Sequence, residues 1–127
     1  MKATPENGMV VATLAKVEVL TIASGASLSG VLDCRGFRIS AIEIPSAWTA
    51  ASITFVHSMT ADGTFQKLSA DADEVTEQAT AGETMAIKSN AAPLSGLAFI
   101  KLRSGTAATP VSQGASRTIK VHLVAAA

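Results

Sequence analysis

The sequence predicts an all-β chain folded as an antiparallel β-sandwich, jelly-roll-like, with about eight strands. Three observations carry this expectation. Short runs rich in β-branched residues recur along the chain, and clusters of Gly, Ser, Thr, Asn, Asp and Pro separate them. Alanine is abundant and has the best helix propensity, yet the apolar spacing at i, i+3, i+4 and i+7 that an amphipathic helix needs is missing.

The elements follow in order. Met1–Val11 reads as a polar N-terminal arm, unpaired on its own, on a single domain that spans residues 1–127. The strand candidates are Leu14–Ile22, Ser27–Leu32, Phe37–Ile44, Ser52–Ser58, Thr64–Leu68, Glu83–Lys88, Leu97–Arg103 and Thr118–Val124. The last is the clearest, because Ile119, Val121 and Leu123 alternate with Thr118, Lys120, His122 and Val124 and so define an inner and an outer face. In Leu97–Arg103 the inner set is Ala98, Ile100 and Leu102, which leaves Phe99, Lys101 and Arg103 outside. In Phe37–Ile44 the isoleucines fall on both faces, Ile39 opposite Ile42 and Ile44, and a β-bulge resolves the conflict. Asp62-Gly63 between two candidate strands predicts a hairpin whose glycine supplies positive φ.

Composition narrows the function. The chain has 127 residues, 48% hydrophobic and 16% charged, enough to build a two-layer core. Ten basic residues balance ten acidic ones, so no net field draws nucleic acid phosphates or an anionic membrane. A lone cysteine, Cys34, excludes an internal disulfide framework. The early Pro5 and Glu6 interrupt the start of a signal peptide, and no apolar run approaches a membrane span. Synthesis in the cytoplasm, with no signal-driven export and no membrane partner, is the expectation.

No group of residues points to catalysis or to a cofactor. His57, Ser58 and Asp62 supply the residue types of a hydrolytic triad, but adjacent strand residues point to opposite faces. His57 and His122 lack ligand spacing for a metal. Asp71, Asp73, Glu74 and Glu77 resemble a calcium loop only at first, since the sixth position from Asp71 is Thr76 and the twelfth is Gly82; a solvated acidic loop is the plainer reading. With five aromatic residues, Phe37, Trp48, Phe55, Phe65 and Phe99, and no tyrosine, the chain makes a poor sugar-stacking platform. Trp48 is either a core plug or a protruding anchor, and Phe99 is a partly exposed aromatic.

The connection Ser104–Ser116, with Gly105, Pro110, Gln113 and Gly114, is long for a compact domain, and such loops are more often functional than idle. Arg103 and Arg117 bracket it. Their guanidinium groups fit carboxylates in fixed geometry, and the acidic run Asp71–Glu77 of a neighbouring copy is one acceptor; salt bridges within the chain are the alternative. The candidate interface is therefore Arg103, Ser104, Gly105, Pro110, Gln113 and Arg117, with Trp48, Phe99 and Cys34 as further contacts.

The stretch from Ile42 through Pro45 and Trp48 to Phe55, with Ser58 and Asp62-Gly63-Thr64-Phe65, resembles small virion proteins of tailed bacteriophages and prophages. So do Leu102–Thr106, Thr109-Pro110-Val111, Gln113 and Arg117–Val124. Ser58–Phe65 is also similar to the strand-turn-strand of galactose-binding-like and discoidin-like sandwiches, which supports the jelly roll without carrying sugar binding. The resemblance implies a non-enzymatic structural protein of the virion that decorates or cements the capsid, with other copies of itself and the major capsid protein as partners. A neck, collar or tail position is the alternative, and a carbohydrate- or receptor-binding module is a different class of reading. Zero net charge and abundant serine and threonine suit close packing in a repeating array. Cys34 departs from the family pattern, and a bond between subunits is open to it.

Overall fold

The computed structural model describes residues 2–3, 11–12, 15–87, 94 and 96–125. Five strands of six to nine residues form its frame: β3 (Ala15–Ile22), β5 (Phe37–Glu43), β6 (Ile53–Ser58), β12 (Phe99–Ser104) and β13 (Arg117–Ala125). Shorter segments complete it: β1 (Lys2–Ala3), β2 (Val11–Ala12), β4 (Leu32–Asp33), β7 (Gln66–Lys67), β8 (Ser69–Ala70), β9 (Asp73–Glu74), β10 (Thr76–Glu77) and β11 (Thr84–Ala86). The fold is all-β and antiparallel, as expected.

Two sheets make the sandwich. One runs β11-β5-β13-β3; the other runs β10-β6-β12-β4, with β7 pairing on β6 beyond the end of β10. Leu20, Ile22, Ile39, Ile42, Ile119, Val121 and Leu123 of the first sheet pack with Leu32, Ile53, Phe55, Ile100 and Leu102 of the second in one buried cluster. Burying such side chains contributes about 1.5–3 kcal/mol each, so this cluster, with Ile119, Val121 and Leu123 of β13 among its members, is the main source of cohesion.

The bulge expected in Phe37–Ile44 is present. Along β13, His122 faces Ala41 and Leu123 faces Ile39, so Ser40 is the extra residue. Its hydroxyl donates to the His122 carbonyl at 3.1 Å, and the shift brings both Ile39 and Ile42 into the core.

Several expectations change. Ser27–Leu32 is not a continuous strand: Leu28 and Ser29 make isolated bridges to Arg103 and Ile22, and only Leu32–Asp33 pairs regularly. The ends of the N-terminal arm pair with each other, Lys2 with Ala12 and Ala3 with Val11, so the arm is not unpaired there; residues 4–10 lie outside the described residues, as do Leu14 and Lys88 of the expected strands. The hairpin around Asp62-Gly63 forms, Val56 facing Lys67 and His57 facing Gln66, but Gly63 is not among the residues with positive φ. Its glycine is needed for space, because a Cβ there would stand 2.5 Å from the Ser58 hydroxyl and against that of Thr60.

The acidic stretch is a solvated loop only in part: Asp71 and Asp73 are exposed, while Glu74 is half-buried and Glu77 buried. Ala70 faces Asp73 across a two-residue turn in which Asp71 and Ala72 have φ of 51° and 69°, the left-handed pair that tight hairpins use. Strand β10 then returns along β6, Thr76 facing Thr54 and Glu77 facing Ile53.

Candidate interaction surface

The connection after β12 folds back onto its own domain. Gly105 donates its N–H to the Ser52 carbonyl at 2.8 Å and bridges Pro110, while Val111 donates to Ser104 at 2.8 Å. Gly105 has φ of 90°, and a Cβ there would come within 2.5 Å of the Thr109 carbonyl, so this turn admits only glycine. At its far end Gln113 is fully buried with every polar capacity of its amide in use. Its Oε1 accepts from the Thr49 N–H at 2.8 Å and from Arg117 Nε at 3.0 Å; its Nε2 donates to the Thr49 carbonyl at 3.1 Å and to Ser104 Oγ at 2.6 Å.

Arg103 is also spent within the chain. Its Nη2 meets Glu74 Oε2 at 2.5 Å and its Nε donates to Thr54 Oγ1 at 3.0 Å, with Arg103 only 11% and Glu74 15% exposed. Thr54 Oγ1 in turn donates to the Gly105 carbonyl at 2.7 Å, and the Ala107 N–H points at both Glu74 oxygens. The acidic acceptor foreseen on a neighbouring copy is thus supplied by the same chain.

These contacts narrow what the interface expected from the sequence can present to a partner. Ser104, Gly105 and Gln113 are buried, Arg103 is engaged, and Arg117 spends its Nε on Gln113 and its Nη2 on Thr49 Oγ1 at 3.2 Å. Trp48 is the core plug of the two readings: it is buried, and its indole N–H donates to the Ala51 carbonyl at 3.1 Å. Cys34 is buried too, and burial first, then the Asp33 charge, pushes its thiol up to about 12, so a bond between subunits has neither access nor thiolate. Of the loop residues named, Pro110 and Gly114 are exposed.

The half-buried phenylalanines each carry a cation over the ring: Lys16 over Phe37 at 4.4 Å, Arg35 over Phe99 at 4.8 Å and Lys101 over Phe65 at 4.6 Å. Arg35 is fixed in place by Asp33, which accepts from its Nε at 3.0 Å and its Nη2 at 2.8 Å; these bonds hold the Asp33 carboxyl down at about 2. Phe99 is therefore covered on one face. The histidines stand in different sheets, His57 on β6 and His122 on β13. His57 Nε2 accepts the Ala98 N–H at 3.2 Å, and His122 Nε2 donates to Glu43 at 2.5 Å. Ser58, buried beside His57, accepts from the Thr60 N–H.

The surface with exposed apolar side chains is elsewhere. Strand β3 is the edge of its sheet, and Val17 and Val19 on its outer face are 48% and 57% exposed. They stand in register with His122 and Lys120 of β13, whose own neighbours on β5 are Ala41 and Glu43. Leu28 and Val31, in the segment that crosses the end of this edge, are each 40% exposed. Sequence reading missed this surface, although the alternation Val17, Val19 against Lys16, Glu18 was its signal. Valines at alternate positions look like a core face until the register shows that Leu20 and Ile22, not they, point inward.

No family, no curated protein and no solved structure matches this chain.

Proposed function

We propose that the chain is a non-enzymatic structural protein of a tailed-phage virion, most simply one that decorates or cements the capsid through contacts with its own copies and with the major capsid protein. One observation carries the assembly part of this reading: the outer face of the β11-β5-β13-β3 sheet exposes Val17 and Val19 on an edge strand that has no further partner over Ala15–Leu20 among the described residues, while the side chains best suited to chemistry are consumed by contacts inside the chain. Two large apolar side chains exposed side by side on an edge strand, which can itself accept a further strand, mark a place where another surface can land. The virion part rests on the resemblance of residues 42–65 and 102–124 to small phage virion proteins. Neck, collar and tail positions use the same kind of contact and stay within the proposal.

A carbohydrate- or receptor-binding module is the second reading, and the cations over Phe37, Phe65 and Phe99 weigh against it because they occupy the ring faces that a sugar would stack on. The test is to purify particles from a lysate that expresses the protein and to probe them with an antibody against it, alongside a glycan array. Stoichiometric presence in the particle supports the proposal. Absence from particles together with specific glycan capture overturns it in favour of the second reading.

A further inference from the structure

We infer that the outer edge of β3 is a two-fold interface with a second copy of this chain, formed by antiparallel pairing of β3 with β3 centred on Val17. The inference rests on the assembly reading above and names its partner and register. Strand β3 is paired with β13 on one side over all eight residues. On the other side, Ile22 bridges Ser29 and the Thr21 carbonyl accepts from the Gly30 N–H at 3.3 Å, which closes that end of the edge. From Ala15 to Leu20 the edge has no partner strand among the described residues.

Such an edge is a template for any extended chain unless something restricts it. Here the restriction is charge. Lys16 and Glu18 share the inward-facing side of β3 at the rim of the sandwich, 3.6 Å from each other, and both remain substantially exposed. Residues directly opposite across an antiparallel pair face the same way, and like charges there are unfavourable. Centring the two-fold on Glu18 sets Glu18 against Glu18 of the second copy. Centring it on Val19 sets Glu18 against Leu20. Centring it on Val17 sets Lys16 against Glu18 twice, by symmetry, with Val17 against Val17 and Val19 against Ala15 on the outer face. Charge complementarity thus selects a second copy as the occupant and this register as its seat, and joining the sheets this way extends four strands to eight. The isologous arrangement is the commonest in soluble oligomers.

The test uses the full chain. Sedimentation equilibrium is expected to give a dimer for the parent. Lys16→Glu and Glu18→Lys should each weaken dimerisation about tenfold, since each replaces two attractive pairs by two repulsive ones. An equimolar mixture of the two variants, and the double exchange within one chain, should restore it. Because Lys16 also covers Phe37, the Glu18→Lys arm and the mixture separate charge pairing from any loss of folding. Val17→Cys should cross-link to itself on oxidation, because opposite Cβ atoms lie about 4.5–5.5 Å apart, near disulfide reach. Val19→Cys should not, since its copy lies four residues, about 13 Å, along the strand. A parent that stays monomeric, single variants that dimerise as the parent does, or cross-linking of Val19→Cys in place of Val17→Cys would overturn the pairing. A monomer that still co-purifies with particles overturns the pairing and spares the assembly reading; a dimer with this register that is absent from particles supports the pairing and removes the virion reading.

Discussion

Arg103 on β12 and Glu74 on β9 meet at 2.5 Å across 29 residues of chain, and the pair is nearly closed to solvent. The carboxylate also receives the Ala107 N–H, so it fastens the β8-β9 hairpin and the loop after β12 to the same guanidinium. Removing one partner strands the other, which typically costs about 3–5 kcal/mol for a buried pair. Arg103→Ala and Glu74→Ala are each expected to lower stability near that range, discounted toward about 2 kcal/mol for the remaining exposure. In urea melts the double variant should lose much less than the sum. Additive losses would show that the two do not act as a pair.

Gln113 holds four hydrogen bonds from a fully buried amide, and both of its main-chain groups bond to residues 25 and 26. Gln113→Leu keeps much of the volume but leaves the Thr49 N–H and the Ser104 hydroxyl without it. A loss of about 2–4 kcal/mol is expected, at about 1–3 kcal/mol for each group left unsatisfied. Proteolysis should then cut first within 104–116. An unchanged melt would mean that water replaces the amide.

The two tight turns invert what their sequences suggest. Asp62-Gly63 looks like a positive-φ turn and is a steric one; Asp71-Ala72 has no glycine and adopts positive φ at both residues. Ala72→Gly should therefore stabilise by about 0.5–1 kcal/mol, since alanine is disfavoured in this region and glycine is not. Gly63→Asn and Gly63→Ala should destabilise by similar amounts, about 1–3 kcal/mol, because the added Cβ rather than the backbone angle is at fault. If asparagine is tolerated and alanine is not, the left-handed conformation returns as the explanation.

Much of the frame was legible because period-two patterning is a local signal: Ile119, Val121 and Leu123 alternate cleanly, and the conflict among Ile39, Ile42 and Ile44 betrayed the bulge at Ser40. Strands β8, β9 and β10 were not, since Glu74 and Glu77 look as solvated as the exposed Asp71 and Asp73 until Arg103 is known to receive the first and the edge of β6 the second. The internal contacts of the candidate site were not legible for the same reason. Arg103, Ser104 and Gln113 are polar residues in and beside a long loop, and only distant partners, Glu74 and Thr49, turn them into interior groups. Pairings between residues far apart in sequence leave no trace in local spacing.

Acid titration should separate two carboxyls of opposite sign. Asp33 is held at about 2 by Arg35, below its ordinary 3.8, so it favours the fold above about pH 3.8 and this contribution fades as pH falls toward 2. Its exposure to solvent keeps the effect small. Arg35→Ala should flatten stability between these two pH values, read from urea melts, and leave the neutral range almost unchanged. A parallel shift at every pH would assign Arg35 to packing on Phe99 alone.

Glu77 runs the other way. It is buried on β10 beside Ile53, its Oε2 has no hydrogen-bond partner, and burial pushes its carboxyl above the ordinary 4.5. A carboxyl whose pKa is raised by folding supports the native state fully below its unfolded value, and that support is lost as pH rises through the folded value. The parent should therefore gain stability on moving from neutral pH down toward about 4.5, until other carboxyls such as Asp33 begin to protonate. Glu77→Gln removes the ionisation and keeps the shape, so it should be more stable than the parent at pH 7, with the gap closing below about pH 4.5. Chemical melts of both proteins across pH 4 to 8 measure this gap directly. A gap that stays constant with pH would show that folding leaves the Glu77 carboxyl unshifted, and a variant less stable than the parent at pH 7 would show that a charged partner holds the carboxylate.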